Sequence, residues 1–312
     1  MENLDNQIIV SIQCLAYNHA PYIRQCLDGF VMQKTNFRFE AIVHDDASTD
    51  GTQDIIREYE KKYPDIIKPI YQKENQYSKG IPGYITNLIT QQCKGKYIAV
   101  CEGDDYWIDP LKLQKQVDFL EAHPDYTLFF HNALIRYQDR NLPDRLLSTF
   151  ETGDFDTTKL FEKWQLPLAS VLLRKSVLES DEYKDLSKSV HGGFLLFLAS
   201  TKSGKVYGLS QCLSVYRKNA GGVSNTMSPA YCLQVECEYA IASEDSGAIN
   251  VMRKKAINKL TYQIPKIIKK DKKASELAKV ANDFDKYILI KAFIRYFFKV
   301  LPLKLYDKVK RE

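Results

Sequence analysis

Three carboxylates stand within four residues at Glu102-Gly103-Asp104-Asp105. Held that close, they repel one another unless a cation sits between them. Hard divalent ions such as Mg²⁺ and Mn²⁺ take oxygen ligands and often bridge one or two carboxylates to a substrate's phosphates. Gly103 allows a close backbone approach. The same residues also suit a solvated acidic turn before the helix that Asp109-Pro110 opens. A second acidic pair, Asp45-Asp46, leads into Ala47-Ser48-Thr49-Asp50-Gly51-Thr52. Ser, Thr and Asp before a helix are capping residues and Asp-Gly is a turn. That accounts for 49–52 but not for two adjacent acids, one of which could accept a hydrogen bond from a nucleobase N–H. A third polar cluster is Tyr17-Asn18.

The elements that must position these groups show as alternating periodicities. Apolar runs at 8–14, 39–44, 67–71 and 97–101 read as strands, and 53–62, 84–92 and 111–123 as helices. Strands alternating with helices predict βαβ units and a mostly parallel sheet. Such sheets bind ligands outside the carboxyl ends of their strands, and all three polar clusters fall at those ends. Further strands are expected at 126–135, 167–173, 206–209 and 213–216, and helices at 158–164 and 191–200. A Gly-rich polar stretch follows at 219–228, then helices to the end.

The net charge of +5 conceals an asymmetry. Residues 253–312 hold 18 Lys and Arg against 6 Asp and Glu, a net of +12, which leaves −7 on the first 252. An acidic body with a basic tail points to an anionic partner for the tail. Within it, 287–301 (YILIKAFIRYFFKVL) sets Lys291, Arg295 and Lys299 at i, i+4 and i+8. Such a cationic stripe on an apolar helix suits a membrane interface, or a core-packing helix with its charges in water. No recognition motif for nucleic acid accompanies the charge, so none is expected as a partner. The seven cysteines are odd in number and form no close Cys-x-x-Cys pair. They read as reduced core residues of a cytoplasmic protein. MENLDNQIIV lacks a basic leader pattern, and nowhere do 18 apolar residues run without a charge, so neither signal peptide nor membrane span is expected.

In order and spacing, VSIQCLAYNHAPYIRQCLDGFV, VHDDASTDGT and GKYIAVCEGDDYWIDPLKLQKQVDFLE resemble the family 2 glycosyltransferases, closely over 7–125 and more loosely over 126–226. The resemblance implies the GT-A fold, an α/β domain with a Rossmann-like, mostly parallel central sheet flanked by helices. That domain would occupy 1–226, with 227–312 a helical, basic C-terminal extension. The implied activity is inverting transfer of a sugar from a nucleotide-sugar donor, expected to be a UDP-sugar, with Mn²⁺ or Mg²⁺. The implied acceptor is a growing cell-surface glycan or lipid-linked glycan. Ala16, Tyr17, Asn18 and Asp46 are then expected to line the nucleotide pocket, with Asp46 reading the base and Asp45 beside it. Glu102 and Asp104 are expected to hold the metal, Asp104 foremost, with Asp105 as a support or sugar contact. Tyr216-Arg217 and 219–224 resemble the family's closing loop, which implies that Arg217 pairs with phosphate.

One part of the pattern is missing. The catalytic Asp of the family would fall at Gly193 or Phe194, and no carboxylate occurs between Asp185 and Glu236. His191 is the titratable residue at that place. The missing base favours a rival reading, a nucleotide-sugar-binding or scaffolding protein of the same fold. A nucleotidyltransferase is disfavoured, because LAYNHAPY lacks the Gly-rich, basic phosphate loop such enzymes show after the first strand. A peripheral position on the inner face of the membrane and a homo-oligomeric state complete the expectations.

Overall fold

The computed structural model describes residues 7–80, 84–162, 166–187, 192–219 and 228–301. β1 (Ile8–Ala16) is followed by α1 (Ile23–Val31), β2 (Arg38–Asp45), α2 (Thr52–Lys62), β3 (Ile67–Tyr71), α3 (Tyr84–Gln92) and β4 (Tyr97–Val100). β1 pairs in parallel with β2 and β4, and β2 with β3. Val10, Ile12, Cys14, Ala41, Val43 and Ala99 are buried, as strands covered on both faces require. α1 buries Ile23, Cys26, Leu27 and Phe30, the i, i+3, i+4, i+7 stripe of a helix lying on a core.

The rest of the sheet is mixed. It uses β5 (Tyr106–Trp107), β6 (Tyr126–Tyr137), β9 (Leu172–Arg174) and β10 (Lys205–Lys218), with β7 (Arg145–Leu146) and β8 (Gly153–Phe155) paired at its margins. The order is β3-β2-β1-β4-β9-β6-β10-β5. β9 runs antiparallel to both β4 and β6, β10 is parallel to β6, and β5 is antiparallel to β10. The strands expected at 206–209 and 213–216 are one strand. Its register against β6 shifts between Leu209 and Ser214, where polar Ser210-Gln211 interrupts the apolar pattern. The expected strand at 167–173 starts instead as a 3₁₀ turn, Leu168–Ser170.

That turn and β5 are pinned by α4 (Lys112–Ala122). Lys112 and Gln116 are fully buried on it. The Lys112 ammonium donates to Gln116 Oε1 at 2.8 Å and lies 3.9 Å from the centre of the Trp107 ring. Gln116 donates to the carbonyls of Phe129 and Ser170, and Trp107 Nε1 donates to Ala169 O at 2.7 Å. Short helices α6 (Lys175–Glu179) and α7 (Asp181–Leu186) and the apolar α8 (Gly192–Ser203) lead to β10.

The chain forms two compact units. One holds 1–156 and 163–220; the other holds 157–162 with 221–312. The second unit joins α5 (Thr157–Glu162) to α9 (Pro229–Ala242), α10 (Ser246–Thr261), α11 (Ile264–Ile268), α12 (Lys272–Phe284) and α13 (Ile288–Arg295). Its helix starts carry the signals that the sequence offers. Ser228, Asp245 and Asp271 cap α9, α10 and α12 through side-chain bonds to backbone N–H groups, and Pro229 occupies the first position of α9. No described helix is long and apolar enough to cross a membrane. All seven cysteines are free thiols.

Candidate functional site

The site lies at the carboxyl ends of β1, β2 and β4, and its loops are tied together by hydrogen bonds. Asn18, with φ +53°, follows β1. Asn is one of the few residues that visits this region readily. Its backbone N–H donates to Ser48 Oγ at 2.9 Å, and its Oδ1 accepts from Thr49 N at 2.9 Å. His19 N donates to Thr52 Oγ1, and Ala20 N to Asp50 Oδ2. Residues 48–52 thus bridge the loops after β1 and β2; the side-chain cap expected of 49–52 does not form, because α2 starts after Gly51, at φ +95°, with no side-chain cap, and Asp50 Oδ1 accepts from Thr52 N at 3.0 Å instead. Ala16 is buried, whereas Tyr17 is exposed and open to a ligand.

The two acids after β2 differ in what they hold. Asp45 is fully buried; its Oδ2 accepts from Ser48 N at 3.0 Å and Gln53 Nε2 at 2.6 Å, while Oδ1 is buried without a hydrogen-bond partner. Asp46 was the residue expected on the base. Its oxygens accept from the backbone N–H groups of Gln76 and Tyr77, at 2.7 and 2.9 Å. Here it clamps the segment after β3, and a base contact would have to share those oxygens. Sequence offers no signal for this bond, because its partners are main-chain amides some 30 residues away.

The acidic turn sits against β1. Gly103 N donates to Leu15 O at 2.7 Å. A Cβ on Gly103 would stand 2.9 Å from His19 Nδ1 and 3.1 Å from Leu15 O, so the close approach requires glycine. Burial, reinforced by the Asp104 charge, pushes the Glu102 carboxyl up to about 7. No hydrogen bond from a described residue reaches that carboxylate. Asp104 Oδ2 accepts from Asn219 Nδ2 at 3.1 Å. Asp105 is buried, its Oδ1 accepts from Arg217 N at 2.8 Å, and burial raises its carboxyl well above the usual range.

Arg217, expected on a phosphate, packs into the site. It is buried, with its guanidinium 4.3 Å from the Tyr106 ring centre and 5.4 Å from that of Tyr22. It donates to Asp104 O at 2.6 Å and to Gln25 Oε1. It therefore braces the acidic turn from the end of β10. Gln25, Tyr22, His19 and Asn219 join the site through this packing. None is marked by sequence spacing, though Asn219 lies in the segment that resembles the closing loop. His191 lies outside the described residues. Gly193 and Phe194, where the catalytic Asp would stand, fall in the first turn of α8.

Among the described residues no three His, Cys, Asp or Glu side chains are placed to hold a metal unaided. Glu102 and Asp104 form a two-carboxylate, all-oxygen donor set. That set fits a hard divalent ion whose remaining ligands come from substrate phosphates and water.

The sequence model of glycosyl transferase family 2 matches residues 11–175. Uncharacterized protein Rv1520 of Mycobacterium tuberculosis is 35% identical over 215 residues, 69% of this chain and 60% of that protein. The chain thus spans somewhat under two thirds of that relative's length. Escherichia coli WfaP, a UDP-Glc:alpha-D-GlcNAc-diphosphoundecaprenol beta-1,3-glucosyltransferase, is 36% identical over 114 residues, 36% of this chain and 42% of its own. In fold, the chain is similar to Staphylococcus aureus TarS 1–349 in complex with UDP-GlcNAc. The TM-score is 0.68 at 17% identity, covering 93% of this chain and 89% of that one. The carboxyl-end site is thus built on a GT-A scaffold, and more than half of the sequence fits a single family: the chain belongs to glycosyl transferase family 2.

Proposed function

We propose that the protein transfers a sugar, with inversion, from a UDP-sugar to a glycan carried on a lipid at the inner face of the membrane. The observation that carries this reading is the acidic turn 102–105. It is packed on β1 beside the loops that follow β1 and β2, and it sets the Glu102 and Asp104 carboxylates close enough for the Asp104 charge to raise Glu102. A UDP donor and a lipid-linked acceptor are supported by the activity of the relative WfaP.

In this reading Tyr17, Asn18 and the Asp45-Asp46 pair form the nucleotide side of the pocket. Asp46 acts by holding 76–77 in place, and Asp45 keeps a free acceptor oxygen. Glu102 and Asp104 would hold Mn²⁺ or Mg²⁺, which supplies charge stabilisation for the departing diphosphate. Arg217 fixes the backbone at Asp104 through its carbonyl oxygen. The acceptor hydroxyl must lose its proton as it attacks the anomeric carbon, and His191 is the group proposed to take it. Calorimetry with UDP and Mn²⁺ tests the donor half: Asp104→Ala should abolish Mn²⁺-dependent UDP binding while leaving the thermal transition in place. Unchanged affinity would remove the metal assignment.

Glycines in the first turn of α8, where the family carries its base, support a second reading, a nucleotide-sugar-binding protein with slow transfer. Turnover of wild type, His191→Ala and Gly193→Asp separates the two. Fast wild-type transfer that His191→Ala leaves intact puts the base elsewhere. Acceleration by Gly193→Asp, or UDP binding without transfer in all three, supports the weakened form.

A further inference from the structure

α13 has two apolar faces, and only one of them is used for packing. Ile288, Ala292 and Tyr296 are buried inward, on the side where α13 meets α10 and α12. Exposed apolar side chains remain at Ile290 and Ile294 on α13, at Tyr287 just before it and at Phe297 and Phe298 in the turn after it, 57%, 54%, 53%, 47% and 79% exposed. At the ordinary helical pitch Tyr287, Ile290 and Ile294 share one stripe about 60° wide, and Phe297 and Phe298 follow in the π-helical turn 296–300. Single exposed apolar residues are normal on protein surfaces, but five large ones in twelve residues are not.

Charge selects the occupant. Lys286 borders the stripe on one side and Lys291 on the other, both exposed, and the Lys286 ammonium lies 5.2 Å from the Tyr287 ring centre. Arg295, expected in the same cationic row, donates instead to Asn258 Oδ1 on α10 and ties the helix down. A second copy of this chain would bring another surface of the same sign, since 253–312 carry +12. An anionic lipid surface attracts that charge and accepts the apolar stripe into its acyl boundary.

We infer that α13, with the π-helical turn that follows it, is a membrane-docking segment that seats Tyr287, Ile290, Ile294, Phe297 and Phe298 in an anionic bilayer surface, with Lys286 and Lys291 at the headgroups. The inference deepens the reading of a lipid-borne acceptor and rests on it for its biological sense only. The apolar face, rather than the basic sequence as a whole, sets the partition. Burying each large side chain favours the bound state, so losing two should cost about 10-fold or more in partition.

The experiment uses the full chain with vesicles of phosphatidylglycerol and phosphatidylcholine, and of phosphatidylcholine alone. Wild type is expected to co-sediment with the anionic vesicles, and the Ile294→Ser/Phe298→Ser double variant to bind at least about 10-fold more weakly. Both residues are exposed, and an unchanged thermal transition checks that the variant folds. Emission of Phe298→Trp should shift to the blue on adding anionic vesicles. Equal binding by wild type and the double variant, or unshifted Trp emission, overturns the inference in favour of electrostatic contact alone. Absence of vesicle binding, with a concentration-dependent dimer that the double variant loses, overturns it in favour of a second copy. Transfer to a water-soluble acceptor should be equal in wild type and double variant. Vesicle binding without any transfer would sink the transferase reading and leave the docking helix standing.

Discussion

Arg217 shows how a residue can hold contacts that its type does not announce. Its place beside Asn219 marks it as a phosphate ligand, and its guanidinium also meets Asp104 O, Gln25 and the rings of Tyr106 and Tyr22. Charge-assisted hydrogen bonds in a buried site are worth about 1.5–3 kcal/mol each, and Arg and Lys are not equivalent at a forked, stacked position. Arg217→Lys should therefore lower the thermal transition and weaken Mn²⁺-dependent UDP binding together, because the turn that carries Glu102 and Asp104 loses its brace. A variant stable as wild type that loses only UDP affinity would show a direct phosphate contact instead. Asp46→Asn gives a separate outcome. One of the two amides from Gln76 and Tyr77 must then face an NH₂ group, so 75–77 should exchange amide hydrogen faster, and the donor KM should rise more than kcat falls. Unchanged exchange there would mean that the segment is held by other contacts.

At the scale of elements, the parallel half of the sheet could be read from the sequence. Each of its strands is a short apolar run with a helical repeat after it, and burial on both faces writes that pattern directly. The second half was less legible, because its order depends on contacts between remote residues. β9 is three residues long and takes its place through antiparallel pairing with β4 and β6. Local sequence carries no trace of that choice. α4 was legible as a helix, but not the burial of a lysine on it. Lys112 has no carboxylate partner, and burial depresses its ammonium to about 7. Between that value and the ordinary one near 10.4, the unfolded chain binds more protons than the folded one, so stability rises with pH in that window. His131, also depressed by burial, completes its own rise by about pH 6.5. The buried thiols of Cys26 and Cys101, raised by burial, oppose the rise from about pH 8.5. The raised carboxyls of Glu102 and Asp105 also oppose it. Because those groups are common to both proteins, the stability of wild type relative to Lys112→Met should rise by up to about 2 kcal/mol between pH 7 and 8.5 in denaturant unfolding. A difference that stays constant over that window would assign the pH dependence to another group.

At the scale of the whole chain, the sequence suggested a cut near 226, with everything before it one domain. The structure divides differently: 157–162, more than sixty residues earlier, belongs with the C-terminal helices. No composition change or linker marks this, since α5 is a six-residue apolar-polar helix like any other. What assigns it is packing against α10, with Leu160 and Phe161 each 1% exposed. The excursion means that the chain enters the helical unit before the sheet is finished, because β9 and β10 come later in sequence. A chain ending at 226 would keep every candidate donor and metal residue but leave α5 without α10. Two large apolar side chains would then enter water, at about 1.5–3 kcal/mol each. Truncation at 226 should therefore give a protein that aggregates or melts at lower temperature than the full chain, even though its donor site is complete in sequence. Leu160→Ser/Phe161→Ser in the truncated chain should restore solubility, and the same pair in the full chain should destabilise it. The two constraints together make the assignment testable by thermal unfolding and light scattering. A truncated chain as soluble and stable as the full protein would show that α5 does not depend on the C-terminal helices for its cover.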